Sequence, residues 1–231
     1  MVVHVSPSTE PGPVTVALMK AIWNAIVSGY LKVIAPVADF LVAKRVRPNT
    51  ITTVGTICTC TAGVIFATGH ISVGGWFLGL TALFDVLDGT VARRTGTTTQ
   101  FGAFYDSTLD RVADGFLLGG LVVFYATHPV HANQAMVIVA TLALIATFLT
   151  SYTNARAEGL GFSARVGVLQ RPERITLLAA PQAFFGLALH GWVLACIVTL
   201  LMTTAWITFF QRMAYVHRIT TAAPTSTSPG E

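Results

Sequence analysis

The sequence predicts an all-α integral membrane protein. It should have six transmembrane helices and an N-terminal amphipathic juxtamembrane helix. Three observations lead there. Apolar residues make up 53% of the 231 and charged residues only 10%, against about a quarter charged in an ordinary soluble domain. Apolar stretches near the ~20 residues that a helix needs to cross the hydrocarbon core recur along the chain. Lys and Arg alternate between the ends of those stretches.

Residues 1–13 are rich in Pro, Ser and Thr and are expected to be mobile, as is the tail 219–231. Residues 14–48 are apolar but broken by Lys20, Lys32, Pro36, Asp39, Lys44 and Arg45. That pattern suits helices lying in the interface better than a clean span. Residues 49–218 then hold six stretches, at about 50–68, 74–91, 101–126, 133–152, 175–189 and 192–210. Helices are expected because every backbone polar group must be paired in lipid. No short basic region precedes a compact apolar run with a cleavage site, so no signal peptide is expected.

The turns near residues 68–75, 127–132 and 190–191 hold no Lys or Arg. The opposite ends hold Lys44, Arg45 and Arg47, then Arg93 and Arg94, then Arg156, Arg165, Arg171 and Arg174, then Arg212 and Arg218. The positive-inside rule puts both termini and the basic loops in the cytoplasm of a multi-pass cell-membrane protein. The net charge of +4 suits anionic headgroups and is too small to argue for nucleic acid. Cys58, Cys60 and Cys196 sit in apolar stretches at no zinc or redox spacing, and are expected to be buried packing residues.

The acids carry the chemistry. Asp85, Asp88, Asp106, Asp110 and Asp114 are five of only ten Asp and Glu. A carboxylate at membrane depth costs at least ~2.5 kcal/mol, so these groups need cations or water. Asp85 and Asp88 are three apart, and Asp106 and Asp110 four apart, so each pair shares a helix face. A short loop joins the two helices, which are expected to be antiparallel neighbours whose carboxylates converge near the cytoplasmic end. Oxygen-only ligands of high charge density select Mg2+ or Mn2+ over zinc. Four carboxylates can hold two such ions and clamp both oxygens of a phosphoryl transfer.

Gly89, Ala92 and Gly102 put almost no side chain on the faces bearing the aspartates. They either let helices pack closely or leave room for a ligand, and beside carboxylates the ligand reading gains. Asp114 is either a ligand contact or a partner of Arg111. Gly115 and Gly119 form G-x-x-x-G, read as a helix contact. A cation transporter would spread its acids over several spans with broken helices. A non-catalytic scaffold would not need four aspartates at such spacing.

The run Asp85-Val-Leu-Asp88-Gly89-Thr-Val-Ala92-Arg93, followed by Gly102-Ala-Phe-Tyr-Asp106-Ser-Thr-Leu-Asp110, resembles the signature of the CDP-alcohol phosphatidyltransferase family at every signature position. The resemblance covers about residues 47–212. It implies a six-helix, usually homodimeric membrane enzyme that displaces CMP from CDP-diacylglycerol with an acceptor alcohol. By position, Asp85, Asp88 and Asp106 are implied as ligands of two Mg2+ (or Mn2+) ions. Asp110 is implied as both ligand and catalytic base. The CDP-lipid site is implied to comprise Pro48, Asn49, Thr50, Ile51, Gly89, Ala92, Arg93, Thr99 and Gly102.

Ser151-Tyr-Thr-Asn-Ala-Arg156, Arg171-Pro-Glu-Arg174 and Gln211-Arg212 resemble the phosphatidylinositol phosphate synthases within that family. This implies a phosphorylated alcohol acceptor, inositol phosphate, held by Arg174 and Arg212. Those enzymes usually have a lysine where this chain has Asn154, which removes one cation from the acceptor pocket. Glycerol 3-phosphate is the rival acceptor. Arginine forks suit a phosphate in either case.

Overall fold

The computed structural model describes residues 34–164 and 166–222. The expected mobile N-terminus 1–13, most of the juxtamembrane segment 14–48 and the tail beyond residue 222 lie outside the described residues. The chain divides after Val46 into two compact units. The first contributes one described helix, α1 (Ile34–Ala43), an apolar helix too short to span a membrane. It closes at Arg45, whose φ is +53°, with Lys44 Nζ 5.8 Å from the centre of the Phe40 ring.

The second unit is built of α2 (Pro48–Ala67), α3 (Ile71–Thr95), α4 (Gln100–Thr127), α5 (Gln134–Gly159), α6 (Arg171–Phe185) and α7 (Trp192–Ala222), with a 3₁₀ turn at Leu189–Gly191. No strand occurs among the described residues. Each helix falls on one of the six apolar stretches. Local chemistry sets the ends. Pro48 opens α2, where its missing N–H costs nothing. α3 stops at Gly96, whose φ of +64° suits a left-handed cap, and Arg93 and Arg94 in its last turn complement the helix dipole. Thr99 Oγ1 accepts a 2.9 Å bond from Gly102 N–H to start α4. Asn133 caps α5 through Met136 N–H. Glu173 accepts from the N–H of Gln170 at the start of α6. α7 runs on to Ala222, so residues 219–222, expected to be mobile, continue the last helix instead. Nothing in that turn breaks a helix, and Thr220 and Thr221 back-bond to His217.

Among the described residues, four helices are long and apolar enough to cross a membrane: Pro48–Ala67, Ile71–Thr95, Gln134–Gly159 and Leu189–Thr221. The remaining two of the six expected spans differ for distinct reasons. α4 has the length, at 28 residues, but carries Asp106, Asp110, Arg111 and Asp114. α6 has 15 residues, a rise of about 22 Å, and ends at Gly186.

The packing order is not the chain order. α2 packs on α3 and α4, α3 on α6, α6 on α7, α7 on α5, and α5 on α4, which closes a ring of six helices. α3 and α4 do not pack on each other. The expectation that these consecutive helices are direct neighbours is therefore corrected. Both lean on α2, and their facing surfaces carry like charges, which oppose contact.

The α2–α4 crossing is the tightest. A Cβ on Gly63 or Gly120 would run into the partner helix's backbone. The expected contact at Gly115 and Gly119 moves accordingly: Gly119 has open space in front of it, and Gly115 only the Phe148 ring. Phe66, Ile71, Leu78, Leu117, Leu121, Phe124, Leu194 and Val198 form a closed apolar core. Of the buried acids, Asp88 lies on the half of α3 nearer the loop to α4, and Asp114 at the middle of α4. The cysteines depart from expectation. Cys58 and Cys60 are half-buried and Cys196 is exposed, since the outer faces of an apolar bundle are themselves apolar.

Candidate active site

The site lies where the last turns of α3 meet the first turns of α2, α4 and α6. Asp85 and Asp88 come from α3, and Asp106, Asp110 and Asp114 from α4. Asp88 is buried and held twice: Thr52 Oγ1 donates to Oδ2 at 2.7 Å, and Gly89 N–H donates to Oδ1 at 2.5 Å. Asp85 and Asp106 are exposed. Among the signature carboxylates, Asp88 and Asp110 each lie within electrostatic reach of Asp85 and Asp106. They do not close on one point. Among the described residues, no three His, Cys, Asp or Glu side chains are grouped tightly enough to hold an ion as they stand.

Instead, one guanidinium stands between the two helices. Arg171, the first residue of α6, donates from NH1 to Asp85 Oδ2 at 2.7 Å. Its NH2 is 2.9 Å from Asp110 Oδ1, and its Nε 3.6 Å from Asp114 Oδ1. Arg111 adds a second cation, 3.5 Å from Asp114 and 3.7 Å from Asp110. Of the two readings of Asp114, partner of Arg111 is the one this geometry supports. The donor chemistry suits a hard divalent cation: oxygen ligands only, on two helices that face each other without packing. Asp85, Asp88, Asp106 and Asp110 are the residues that could hold it.

The small residues border open space. A Cβ on Gly89 would meet only the tip of Arg93, and one on Gly102 only Thr99 Oγ1 and Asn49 Oδ1. Neither glycine makes a close helix crossing, so the packing reading does not apply to them. The residues around them include Arg93, Thr99 and Asn49, three of the positions expected to hold the CDP-lipid. Thr99 also serves as the α4 cap. Pro48 and Asn49 form the first turn of α2, their carbonyls bonded by Thr52 and Thr53, and Thr53 meets the Tyr105 hydroxyl at 2.9 Å. Thr50 is exposed, Ile51 is buried, and Ala92 is half-buried on the Gly89 face of α3.

The expected acceptor residues divide. Arg174 lines a small cavity of about 30 Å³ with Asp114, Thr147 and Arg171, and its Nε is buried with no hydrogen-bond partner. Arg212 is spent on the backbone: Nε donates to Val166 O at 2.9 Å and NH1 to Thr150 O. Asn154 Nδ2 donates to Glu158 at 3.1 Å, while its Oδ1 is buried without a partner.

Sequence reasoning missed Thr52 and, for Arg171, its pairing with the aspartates. Thr52 carried no signal beyond lying one turn after Pro48. Arg171 had one: a cation in the first turn of a helix opposes the macrodipole, and so implies a specific acidic partner.

The comparisons agree with this architecture. Residues 45–211 match the family model described as CDP-alcohol phosphatidyltransferase. The phosphatidylinositol phosphate synthase of Mycobacteroides abscessus is 36% identical over 202 residues, covering 87% of each chain. The crystal structure of the Mycobacterium tuberculosis phosphatidylinositol phosphate synthase with CDP-DAG bound superposes with a TM-score of 0.74 at 29% identity, over 87% of this chain and 99% of that one. The same enzyme in complex with manganese and citrate gives 0.73 at 30% identity, over 85% and 92%. With its signature aspartates gathered at one end of a helical ring, and its sequence and fold both matched over most of their length, this chain is an enzyme of the CDP-alcohol phosphatidyltransferase family.

Proposed function

We propose that this enzyme transfers the phosphatidyl group of CDP-diacylglycerol to inositol phosphate and releases CMP. The observation that carries the reading is the pair of acidic faces, Asp85 and Asp88 on α3 against Asp106 and Asp110 on α4, opposed but not packed. The names of its relatives, phosphatidylinositol phosphate synthases, support the choice of acceptor. Asn154, where a lysine is usual, leaves glycerol 3-phosphate as the second candidate.

In this reading two Mg2+ or Mn2+ ions, held by Asp85, Asp88, Asp106 and Asp110, neutralise the diphosphate and polarise its phosphorus. The chain's own residues do the rest. Pro48, Asn49, Thr50 and Ile51 cover the diphosphate. Gly89, Ala92 and Gly102 leave room for the nucleotide, and Thr99 and Arg93 contact it. Arg93 offsets charge on the departing CMP. Asp110 takes the proton of the acceptor hydroxyl as that oxygen bonds to phosphorus and the bond to the CMP oxygen breaks. Arg174, Arg212 and Asn154 bound the acceptor phosphate.

The topology that fits this chemistry has all six helices α2–α7 crossing the membrane. α4 turns its acids inward, α6 crosses with its 15 residues extended by the turn before α7, and a juxtamembrane helix precedes them. The active site faces the cytoplasm, where a soluble phosphorylated alcohol is available, and two copies form a homodimer. An acceptor panel tests the function. With CDP-diacylglycerol and Mg2+, CMP release should be fastest with inositol phosphate. Preference for glycerol 3-phosphate would replace the acceptor. Equal turnover of free inositol would remove the phosphate pocket.

A further inference from the structure

We propose that Arg171 is a built-in competitor of divalent metal at the carboxylate site, so that loading the site with metal requires its guanidinium to let go of Asp85 and Asp110. The inference rests on the metal-dependent reading above. Arg171 NH1 and NH2 engage one oxygen each of Asp85 and Asp110, at 2.7 and 2.9 Å, from opposite sides of the gap between α3 and α4. An oxygen that accepts so short a charge-assisted bond presents that lone pair to a guanidinium and not to an ion. The charges also compete. Five carboxylates and two guanidiniums leave the cluster acidic, and two divalent ions would make Arg171 surplus.

The arginine has somewhere to go. Its Nε already stands 3.6 Å from Asp114, beyond hydrogen-bond range, and is buried without another partner. Asp114 sits one turn deeper on α4 than Asp110, outside the four signature carboxylates. A fork that releases Asp85 and Asp110 can close on Asp114 instead. A bracing role would have the opposite sign: an arginine that pre-sets the ligand carboxylates would strengthen metal binding, and its loss would weaken it.

The experiment is Mn2+ titration of the full chain in detergent after chelation, reading free Mn2+ by its electron paramagnetic resonance signal. Wild type, Arg171→Ala, Arg171→Lys and Asp106→Asn are compared. An arginine beside a carboxylate lowers its pKa by about 1–3 units, a tenfold or greater loss of proton affinity, and a doubly charged ion feels the same field. Arg171→Ala should therefore bind Mn2+ at least about tenfold more tightly, with Arg171→Lys between it and wild type. Without metal, Arg171→Ala should melt below wild type, and Mn2+ should raise its Tm by more.

An unchanged or weaker Mn2+ affinity in Arg171→Ala overturns the proposal. If that variant does not fold without metal, wild type decides. Mass spectrometry should show phenylglyoxal modifying Arg171 faster once Mn2+ is added, and an unchanged or slower rate overturns the proposal. The two levels separate cleanly. Wild type that binds no Mn2+ removes the metal reading and this inference together. Wild type that binds, Asp106→Asn that does not, and Arg171→Ala that binds no tighter remove this inference alone.

Discussion

Thr52 and Asp88 are joined by a 2.7 Å hydrogen bond between the second turn of α2 and the buried acid of α3. A hydroxyl from outside the signature thus aims a signature carboxylate. Thr52→Val keeps the volume but removes the donor. Losing a bond to a charged group costs about 1.5–3 kcal/mol. CMP release per enzyme should fall about tenfold to a hundredfold, and Thr52→Ser should restore most of it.

The carboxylates are each expected to be indispensable. Asp85→Asn, Asp88→Asn and Asp106→Asn replace a charged oxygen ligand with a neutral amide, a poor match for a hard cation. Each should lose nearly all turnover while still inserting and remaining folded, judged by size-exclusion behaviour in detergent. Substantial activity in all three would rule out the two-metal mechanism.

Arg174 and Arg212, alike in sequence, should separate on substitution. Arg212, on α7, ties Val166 to Thr150 of α5, beside the bond from Val168 N–H to Thr208. Arg212→Ala should lower Tm as well as activity. Arg174 faces a cavity with an unspent Nε. Arg174→Ala should raise the KM for the phosphorylated acceptor about tenfold to a hundredfold, by the cost of one charged hydrogen bond. The KM for CDP-diacylglycerol and the Tm should move little.

A pair of neighbouring glycines offers a packing test. Gly120→Ala drives a methyl group into the backbone at Gly63, whereas Gly119→Ala enters open space. Overpacking costs about 1–3 kcal/mol. Thermal unfolding should show a clear loss of Tm for Gly120→Ala and none for Gly119→Ala. Equal Tm values would place the α2–α4 crossing elsewhere.

Sidedness follows from the charge asymmetry. Single cysteines at Thr97 and Ser163, in a background without the three native ones, should react with an impermeant thiol reagent from the cytoplasm. One at His131 should react from the other side. Labelling of all three from one face would refute the six-span arrangement.

The helices were legible because apolar length and charged ends are local properties. α2 to α7 fall on the six apolar stretches, and Gly96, Thr99 and Asn133 mark their ends by familiar capping chemistry. The aspartates were legible because charge at membrane depth is costly and their spacing gives each pair a shared face. What could not be read was which helix lies beside which. Chain order suggested α3 against α4, yet the ring puts α2 and α6 beside α3 and leaves α4 to α2 and α5. The pairing of Arg171 with the aspartates was missed for the same reason, because Asp85 lies 86 residues away. Arg212 shows the reverse case. Its residue type suits phosphate, but its side chain spends Nε and NH1 on carbonyls that no motif reveals.

The ring order bears on how portable the signature is. Asp85 to Asp110 occupy one compact stretch of chain, which invites transplanting that hairpin into another scaffold as a ready-made catalyst. Such a graft would carry the acids without the spacers. The distance between the two acidic walls belongs to α2, which wedges both helices apart through Thr52, Thr53 and the Gly63–Gly120 crossing, and to α6, which reaches in with Arg171. Removed from those neighbours, the hairpin would be two mutually repelling rods. The working unit is the whole hoop of helices, and its smallest transferable piece runs from Pro48 into α7.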